Sequence, residues 1–191
     1  LQYSNPSASN LGSIQFFNTS EGWATGGNYF LHTTDGGATW TRRTVPADTW
    51  AWDAWFGDRD HGVAVGAGGN VIRTSNGGNT WIQVEPPSGR PDLLAVQMFG
   101  SSRGFFSGNA AMLYATEDGG ATWENRQSGG WAQTRTVFAL DGDHAWAACD
   151  GGEVLRTTNG GLFWDRATPP GVDIYGTCFD VAFADANTGF V

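Results

Sequence analysis

One octet occurs four times in this chain, as TTDGGATW (33–40), TSNGGNTW (74–81), TEDGGATW (116–123) and TTNGGLFW (157–164). Its Asp or Asn falls at 35, 76, 118 and 159, at spacings of 41, 42 and 41 residues. A fixed period of this size means an array of one structural unit that cannot bury its apolar face alone, so the fold of the chain follows from the fold of the unit. A second shared pattern precedes each octet: FFNTSEGWATGG from 16, WFGDRDHGVAVG from 55, MFGSSRGFFSG from 98 and a degenerate ALDGDHAWAACDGG from 139. A fifth copy, AFADANTGFV from 182, runs to the last residue. In the first unit, strands are expected over about 14–18, 22–26, 29–34 and 39–45. The short connections, rich in Gly, Asn, Asp and Pro, suit antiparallel hairpins, and a parallel sheet has no room here for its crossover helices.

A unit of roughly 42 residues with four short apolar stretches matches one blade of a β-propeller. The chain is therefore read as all-β, a single partial propeller over 1–191. Its four-stranded antiparallel blades are expected at about 11–45, 52–85, 94–127 and 135–168, with half a blade at about 177–191. Composition agrees: 29 Gly, ten Trp and 12 Phe against two Met describe aromatic strands between tight turns. No window carries helical apolar periodicity unbroken by Gly or Pro. Leu1 and Gln2 align with the end of an outer strand and Val191 falls inside a second strand, which predicts about four and a half blades of a ring of six to eight.

The octets resemble the Asp-box, or bacterial neuraminidase repeat, S/T-x-D-x-G-x-T-W. With the upstream F-x-(D/N)-x-x-x-G-W-x-x-G, best seen in residues 16–40 and ADANTGFV, the chain is most similar to the photosystem II assembly and stability factor family and its bacterial relatives. The third and fourth units depart from the pattern at Ala111, Met112 and Phe163. The resemblance implies a non-catalytic binding or assembly scaffold associated with a membrane protein complex.

The box itself reads as structure. Asp35 is expected to accept hydrogen bonds from backbone N–H groups one to three residues on, with the paired glycines permitting positive φ, while Trp40 covers the hairpin. The same roles fall to Asn76 and Trp81, Asp118 and Trp123, and Asn159 and Trp164. An Asp-to-Asn exchange keeps the acceptor oxygen and abolishes acid–base chemistry, so these positions are not catalytic.

The formal net charge is −9, and all ten cations are Arg. Only Arg42 and Arg43 are adjacent, which argues against nucleic acid as a partner. No apolar run is long enough for a transmembrane segment. No cofactor or metal is expected: His32, His61 and His144 form no ligand spacing, and no Gly-rich turn opens a helix. Cys149 and Cys178, 29 residues apart, fit neither a CxxC metal site nor a redox motif. Either both are small buried hydrophobes, or they form a disulfide between neighbouring blades in an oxidising compartment.

In propellers, ligands usually meet the face formed by the inter-blade loops, here 45–54, 85–94, 125–135 and 167–180. Trp50, Trp52 and Trp131 are the tryptophans that the repeat does not explain. Trp50 and Trp52, two apart, face the same way if the segment is extended, beside Asp53, and offer a platform for a sugar, a peptide or a partner protein. Arg90, Arg135, Asp173 and Tyr175 lie in the same loop set as candidate polar contacts. The competing function is glycoside hydrolysis of the sialidase or xyloglucanase kind. Sialidases need an arginine cluster, a Tyr nucleophile assisted by Glu and an Asp acid, and their first-arginine motif is not present in these residues. Xyloglucan-type cleavage needs two carboxylates across a cleft, for which Asp48, Asp53 and Asp173 are the only donors. A secreted adhesin or receptor ectodomain is a third class. The expected partner is a protein or a carbohydrate, in an extracytoplasmic location.

Overall fold

A computed structural model describes residues 10–85, 87–126, 133–167 and 176–191. The described residues hold no α-helix, and the chain is an all-β propeller of antiparallel sheets. The first blade comprises β1 (Ser13–Phe16), β2 (Gly22–Gly26), β3 (Tyr29–Thr33) and β4 (Thr41–Arg43). The second comprises β5 (Ala51–Phe56), β6 (Gly62–Gly66), β7 (Val71–Thr74) and β8 (Ile82–Gln83). In the third are β9 (Leu93–Phe99), β10 (Arg103–Gly108), β11 (Met112–Thr116) and β12 (Glu124–Asn125). In the fourth are β13 (Thr134–Ala139), β14 (Ala145–Cys149), β15 (Val154–Thr157) and β16 (Asp165–Arg166). A two-stranded sheet of β17 (Ala182–Phe183) and β18 (Gly189–Phe190) follows. Each four-stranded sheet is a meander whose spatial order is its chain order. The outer strand expected over 39–45 is confined to Thr41–Arg43, because residues 39 and 40 are consumed by the turn of the box.

The apolar clusters lie between blades. Trp23 and Phe30 of the first blade pack with Phe56, Ile72 and Trp81 of the second. Val63, Val65 and Val71 of the second pack with Leu93, Val96, Met98 and Phe106 of the third. Phe105 and Leu113 of the third meet Val137, Leu155 and Trp164 of the fourth, and Trp146 of the fourth meets Cys178, Val181 and Phe183. A meander one sheet thick has two apolar faces and covers neither itself, so it is stable only between neighbours.

The second glycine of each later box fits this seam. Gly78, Gly120 and Gly161 have φ of 73°, 78° and 81°, a region that side chains with a Cβ avoid. A Cβ on Gly120 would lie 2.7 Å from Val63 of the preceding blade, and one on Gly161 would lie 2.8 Å from Phe105. At Gly78 it would overlap the Trp23 ring. The pair of glycines in the octet thus does two jobs, turning the chain and leaving room for the blade before it.

Inner strands are also stapled to one another by side chains. Gln15 Nε2 donates to Phe56 O (2.9 Å) and its Oε1 accepts from Phe56 N (2.8 Å). Gln97 does the same to Ala139, with 3.2 Å to the oxygen and 2.5 Å to the nitrogen. Each amide therefore behaves as one extra rung between neighbouring sheets, beside the backbone bridge Gly27–Ala51 that joins the first two.

Gly78→Ala and Gly68→Ala separate these effects. Gly68 also has positive φ, at 62°, with nothing within 4 Å of its Cβ position. Gly68→Ala should cost about 1 kcal/mol from left-handed strain alone. Gly78→Ala should cost about 3 kcal/mol, since overpacking against Trp23 is added. Urea unfolding of both variants checks the difference, and equal losses would show that the seam does not need the missing Cβ.

Candidate functional site

In each box the threonine two residues before the Asp or Asn is buried and organises the turn. Thr33 Oγ1 donates to Asp35 Oδ1 (2.8 Å) and accepts from Gly37 N (2.9 Å). Asp35 Oδ1 accepts from Thr39 N (2.8 Å) and Oδ2 from Thr39 Oγ1 (2.6 Å). The carboxylate thus reaches the N–H four residues on, beyond the one to three expected from a simple Asx turn. The reason is that Thr33 takes the nearer donors, Asp35 N (3.3 Å) and Gly37 N. Asp118 repeats the arrangement with Thr116 and Thr122.

At Asn76 the backbone bond from Thr80 N persists (2.9 Å), but the side-chain bond reverses, with Asn76 Nδ2 donating to Thr80 Oγ1 (2.8 Å). Asn159 Oδ1 accepts from Phe163 N (3.0 Å). Trp81 and Trp164 are buried in seams. Trp40 stands edge-on to Phe16 (6.0 Å, 83°), and Trp123 packs on Phe106 (4.5 Å).

On the same face the first two strands of a blade are joined by a second acceptor turn, in which Asn18, Asp58, Asp141 and Asp185 each accept two backbone N–H groups. The two turns are tied by Gly36 N to Ser20 O (2.7 Å), Gly77 N to Asp60 O (2.9 Å), Gly119 N to Ser102 O (2.8 Å) and Gly160 N to Asp143 O (3.0 Å). His61 and His144 belong to these turns, with Nδ1 at 2.9 Å from Asp58 and from Asp141. His32 stacks on Trp23 (4.6 Å) between Glu21 (3.3 Å) and Arg43 (3.0 Å), and burial pulls its pKa down. No group of three metal-ligating side chains occurs among the described residues.

The opposite face carries the inter-blade loops, and here the candidates divide. Trp52, Asp53 and Arg135 meet in an axial cleft of about 410 Å³ lined by the first strand of each four-stranded blade and by residues 179–181. Trp50 is 51% exposed and shares a separate depression with Trp52, floored by Gly26 and Gly27. Arg90 (φ 48°) borders a third, beside Asp48 and Asn70. Trp131, Asp173 and Tyr175 lie outside the described residues.

The extended alternation expected across Trp50 and Trp52 is interrupted. Pairing of β5 with β6 steps from Ala51↔Gly66 to Asp53↔Val65, which leaves Trp52 in a bulge.

The charged members of the cleft already have partners. Asp53 Oδ1 accepts from Ala54 N and Oδ2 from Val96 N of the next blade, both at 2.8 Å, so it is a third staple beside Gln15 and Gln97. Burial raises its pKa, and these N–H groups oppose that rise. Arg135 makes a bidentate pair with Asp150 (2.7 and 3.0 Å), with both side chains about one third exposed.

Sequence reasoning passed over Asp180, which accepts from Val181 N as Asp53 accepts from Ala54 N. It also passed over Phe179, 77% exposed at the same cleft. The available signal was register: Asp53 and Asp180 each stand five residues before a turn aspartate, Asp58 and Asp185. Of the two readings of the cysteines, the structure holds Cys149 and Cys178 as free, buried thiols, and burial pushes the Cys149 pKa up to about 11.

Comparison with known proteins places this geometry. The profile described as photosynthesis system II assembly factor YCF48 matches residues 43–165. The chain belongs to this family. Among curated proteins it is 28% identical over 116 residues to the photosystem II stability/assembly factor HCF136, chloroplastic, of rice (Oryza sativa subsp. japonica); the match takes in 58% of this chain and 28% of the rice protein. The chain therefore spans under a third of the length of that relative.

Among solved structures, YCF48 bound to D1 peptide aligns over 97% of this chain and 90% of its own, with TM-score 0.58 and 16% identity. A GH74 xyloglucanase from Xanthomonas campestris aligns over 85% of this chain and 31% of its own, with TM-score 0.66 and 16% identity. At such identities both likenesses concern the propeller fold alone. In this member of the YCF48 family, the Asp or Asn of each box is bonded within its own turn.

The two aspartate boxes give the framework a pH signature. Hydrogen bonds from the Thr39 hydroxyl and N–H lower the Asp35 pKa from 3.8 to about 2. At Asp118 partial burial raises it, but the bonds from Thr122 and Thr116 prevail and the net shift is downward. A depressed carboxylate contributes stability that is complete above the unfolded pKa and is lost as pH falls through the folded one. For Asp35 that window runs from 3.8 down to about 2. Asp35→Asn should be less stable than the parent near about pH 6, with the gap closing in acid as the parent loses its advantage. Urea midpoints measured across that range check this, and a pH-independent gap would show that the charge contributes nothing.

Proposed function

We propose that this chain is a non-catalytic assembly scaffold that holds a protein segment of a membrane complex on its inter-blade loop face, in an extracytoplasmic compartment. The observation that carries the reading is the family match over residues 43–165, which takes in the second and third blades, nearly all of the fourth, and their loops. The named function of the rice relative, its chloroplast location and the peptide complex of the solved YCF48 point the same way.

The chemistry of the loop face supports it. Both oxygens of Asp53 accept backbone N–H groups from two blades, which gives this carboxylate a strand-positioning role. What the face does offer is exposed aromatic surface at Trp50 and Phe179, next to turns held rigid by Gly68 N bonding Asp92 Oδ1 (2.9 Å) and by the paired bonds of Gly27 with Ala51 (2.7 and 2.8 Å). Rigid aromatic anchors bind partners at low entropic cost. No helix among the described residues is long and apolar enough to cross a membrane.

Immobilised protein should retain a membrane-complex subunit from detergent-solubilised membranes. Trp50→Ala should weaken that capture by roughly tenfold, the loss typical of a binding anchor, while leaving the thermal midpoint nearly unchanged because the ring is half in solvent. Turnover of xyloglucan or sialosides by the same preparation, or capture indifferent to both Trp50 and Phe179, would sink the reading.

A further inference from the structure

The chain contains two Asn-Gly pairs, Asn76–Gly77 and Asn159–Gly160, and both lie in boxes. We propose that Asn159 is a spontaneous modification site, converted through ring closure with Gly160 into aspartate or isoaspartate, and that Asn76 is held back from the same reaction by Thr80. In this step the Gly160 nitrogen gives its proton to a solvent base and attacks Cγ of Asn159. The Nδ2 group leaves as ammonia, and a five-membered succinimide remains. Water then opens either ring carbonyl, giving aspartate at this position or its isomer with the backbone routed through the side chain. The net change exchanges an amide for an acid with uptake of water and loss of ammonia.

Glycine favours the reaction because no Cβ shields its nitrogen, and both asparagines are exposed to the water that the second step needs. The brakes on the attacking nitrogen are matched, since Gly77 N is bonded to Asp60 O at 2.9 Å and Gly160 N to Asp143 O at 3.0 Å. So are the bonds to the side-chain oxygen, 2.9 Å from Thr80 N and 3.0 Å from Phe163 N. The two sites differ at the leaving group. Asn76 Nδ2 is fixed to Thr80 Oγ1 at 2.8 Å. At the fourth box Phe163, 75% exposed, replaces that threonine, and no bond from Asn159 Nδ2 occurs among the described residues.

The direct product suits the fold, because Asp35 and Asp118 already occupy this position and take the same Thr and N–H donors. The isomer does not suit it, since an added backbone methylene displaces the N–H groups of the turn. Modification therefore adds a negative charge to one turn of the box face, and its isoaspartate fraction opens that turn.

The test is ageing of the folded protein at mildly alkaline pH, read by peptide mass mapping at both sites, beside the same protein in denaturant. Asn159 should convert roughly fivefold faster than Asn76 in the folded protein, the effect of one ordinary hydrogen bond, and at the same rate in denaturant. Phe163→Thr, which restores the residue of the other boxes, should slow Asn159 to the rate of Asn76. Thr80→Val should speed Asn76. Equal folded rates, insensitivity to both substitutions, or an intact Asn159 after the denatured chain has fully converted would each overturn the proposal.

Discussion

The structure depends on the seam between one blade and the next. Among the described residues no four-stranded blade holds a core of its own: each apolar cluster draws side chains from two neighbouring units. A single sheet four strands wide exposes both faces, and burial of the aromatic and branched residues on each face is available only against another sheet. Sheets packed this way must approach closely at the box, and they do so where a glycine leaves space for Trp23, Val63 or Phe105 of the blade before it. The repeat is in this sense an instruction for stacking, and the turn that it also encodes is the means of presenting the gap.

Close packing of apolar faces does not by itself fix the axial register, because greasy surfaces slide. Register is set by side chains that reach backbone: Gln15 to Phe56, Asp53 to Val96 and Gln97 to Ala139. Each spans one seam, so three consecutive seams are keyed by three polar side chains. These residues line or border the axis, where a cleft lined by Asp53 and the exposed Asp180 invites a catalytic reading. In the structure each oxygen of Asp53 accepts one backbone N–H, from Ala54 and from Val96 of the next blade, which ties this carboxylate to the spacing of the strands.

Much of this was legible in the sequence because the period, the turn residues and the box tryptophans are local signals repeated four times. The features that were not legible are long-range or irregular. Gln15 and Gln97 occupy the position that Trp55 and Phe138 hold in the other blades, so self-similarity gives no hint of a staple whose partner lies 41 or 42 residues away. Trp50 and Trp52 follow the two-residue alternation only in an unbroken strand. The pairing steps by one residue there, and the Trp50 carbonyl accepts from Ala67 N (3.0 Å). Asp35 reaches farther along the chain than an isolated turn suggests because Thr33, a residue with ordinary strand propensity, claims the nearer donors. In each case a local rule held until a neighbour outside its window competed for the same group.

The coexistence of aspartate and asparagine in the boxes follows from what the turn asks of that side chain. Its common requirement is one acceptor oxygen facing the buried threonine and the N–H four residues on, which both residue types meet at distances of 2.8 to 3.0 Å. The second atom of the group is free to vary: carboxylate oxygen receiving a hydroxyl at Asp35 and Asp118, amide nitrogen donating to one at Asn76. A hydroxyl serves either direction because it rotates, and so the threonine of the first three boxes tolerates the exchange without a change in backbone. Where Phe163 replaces it, the backbone bond from residue 163 and the buried Thr157 still close the turn. The part of the box that every copy shares closes the turn, and the part that differs sets charge, the pH dependence of stability and chemical reactivity.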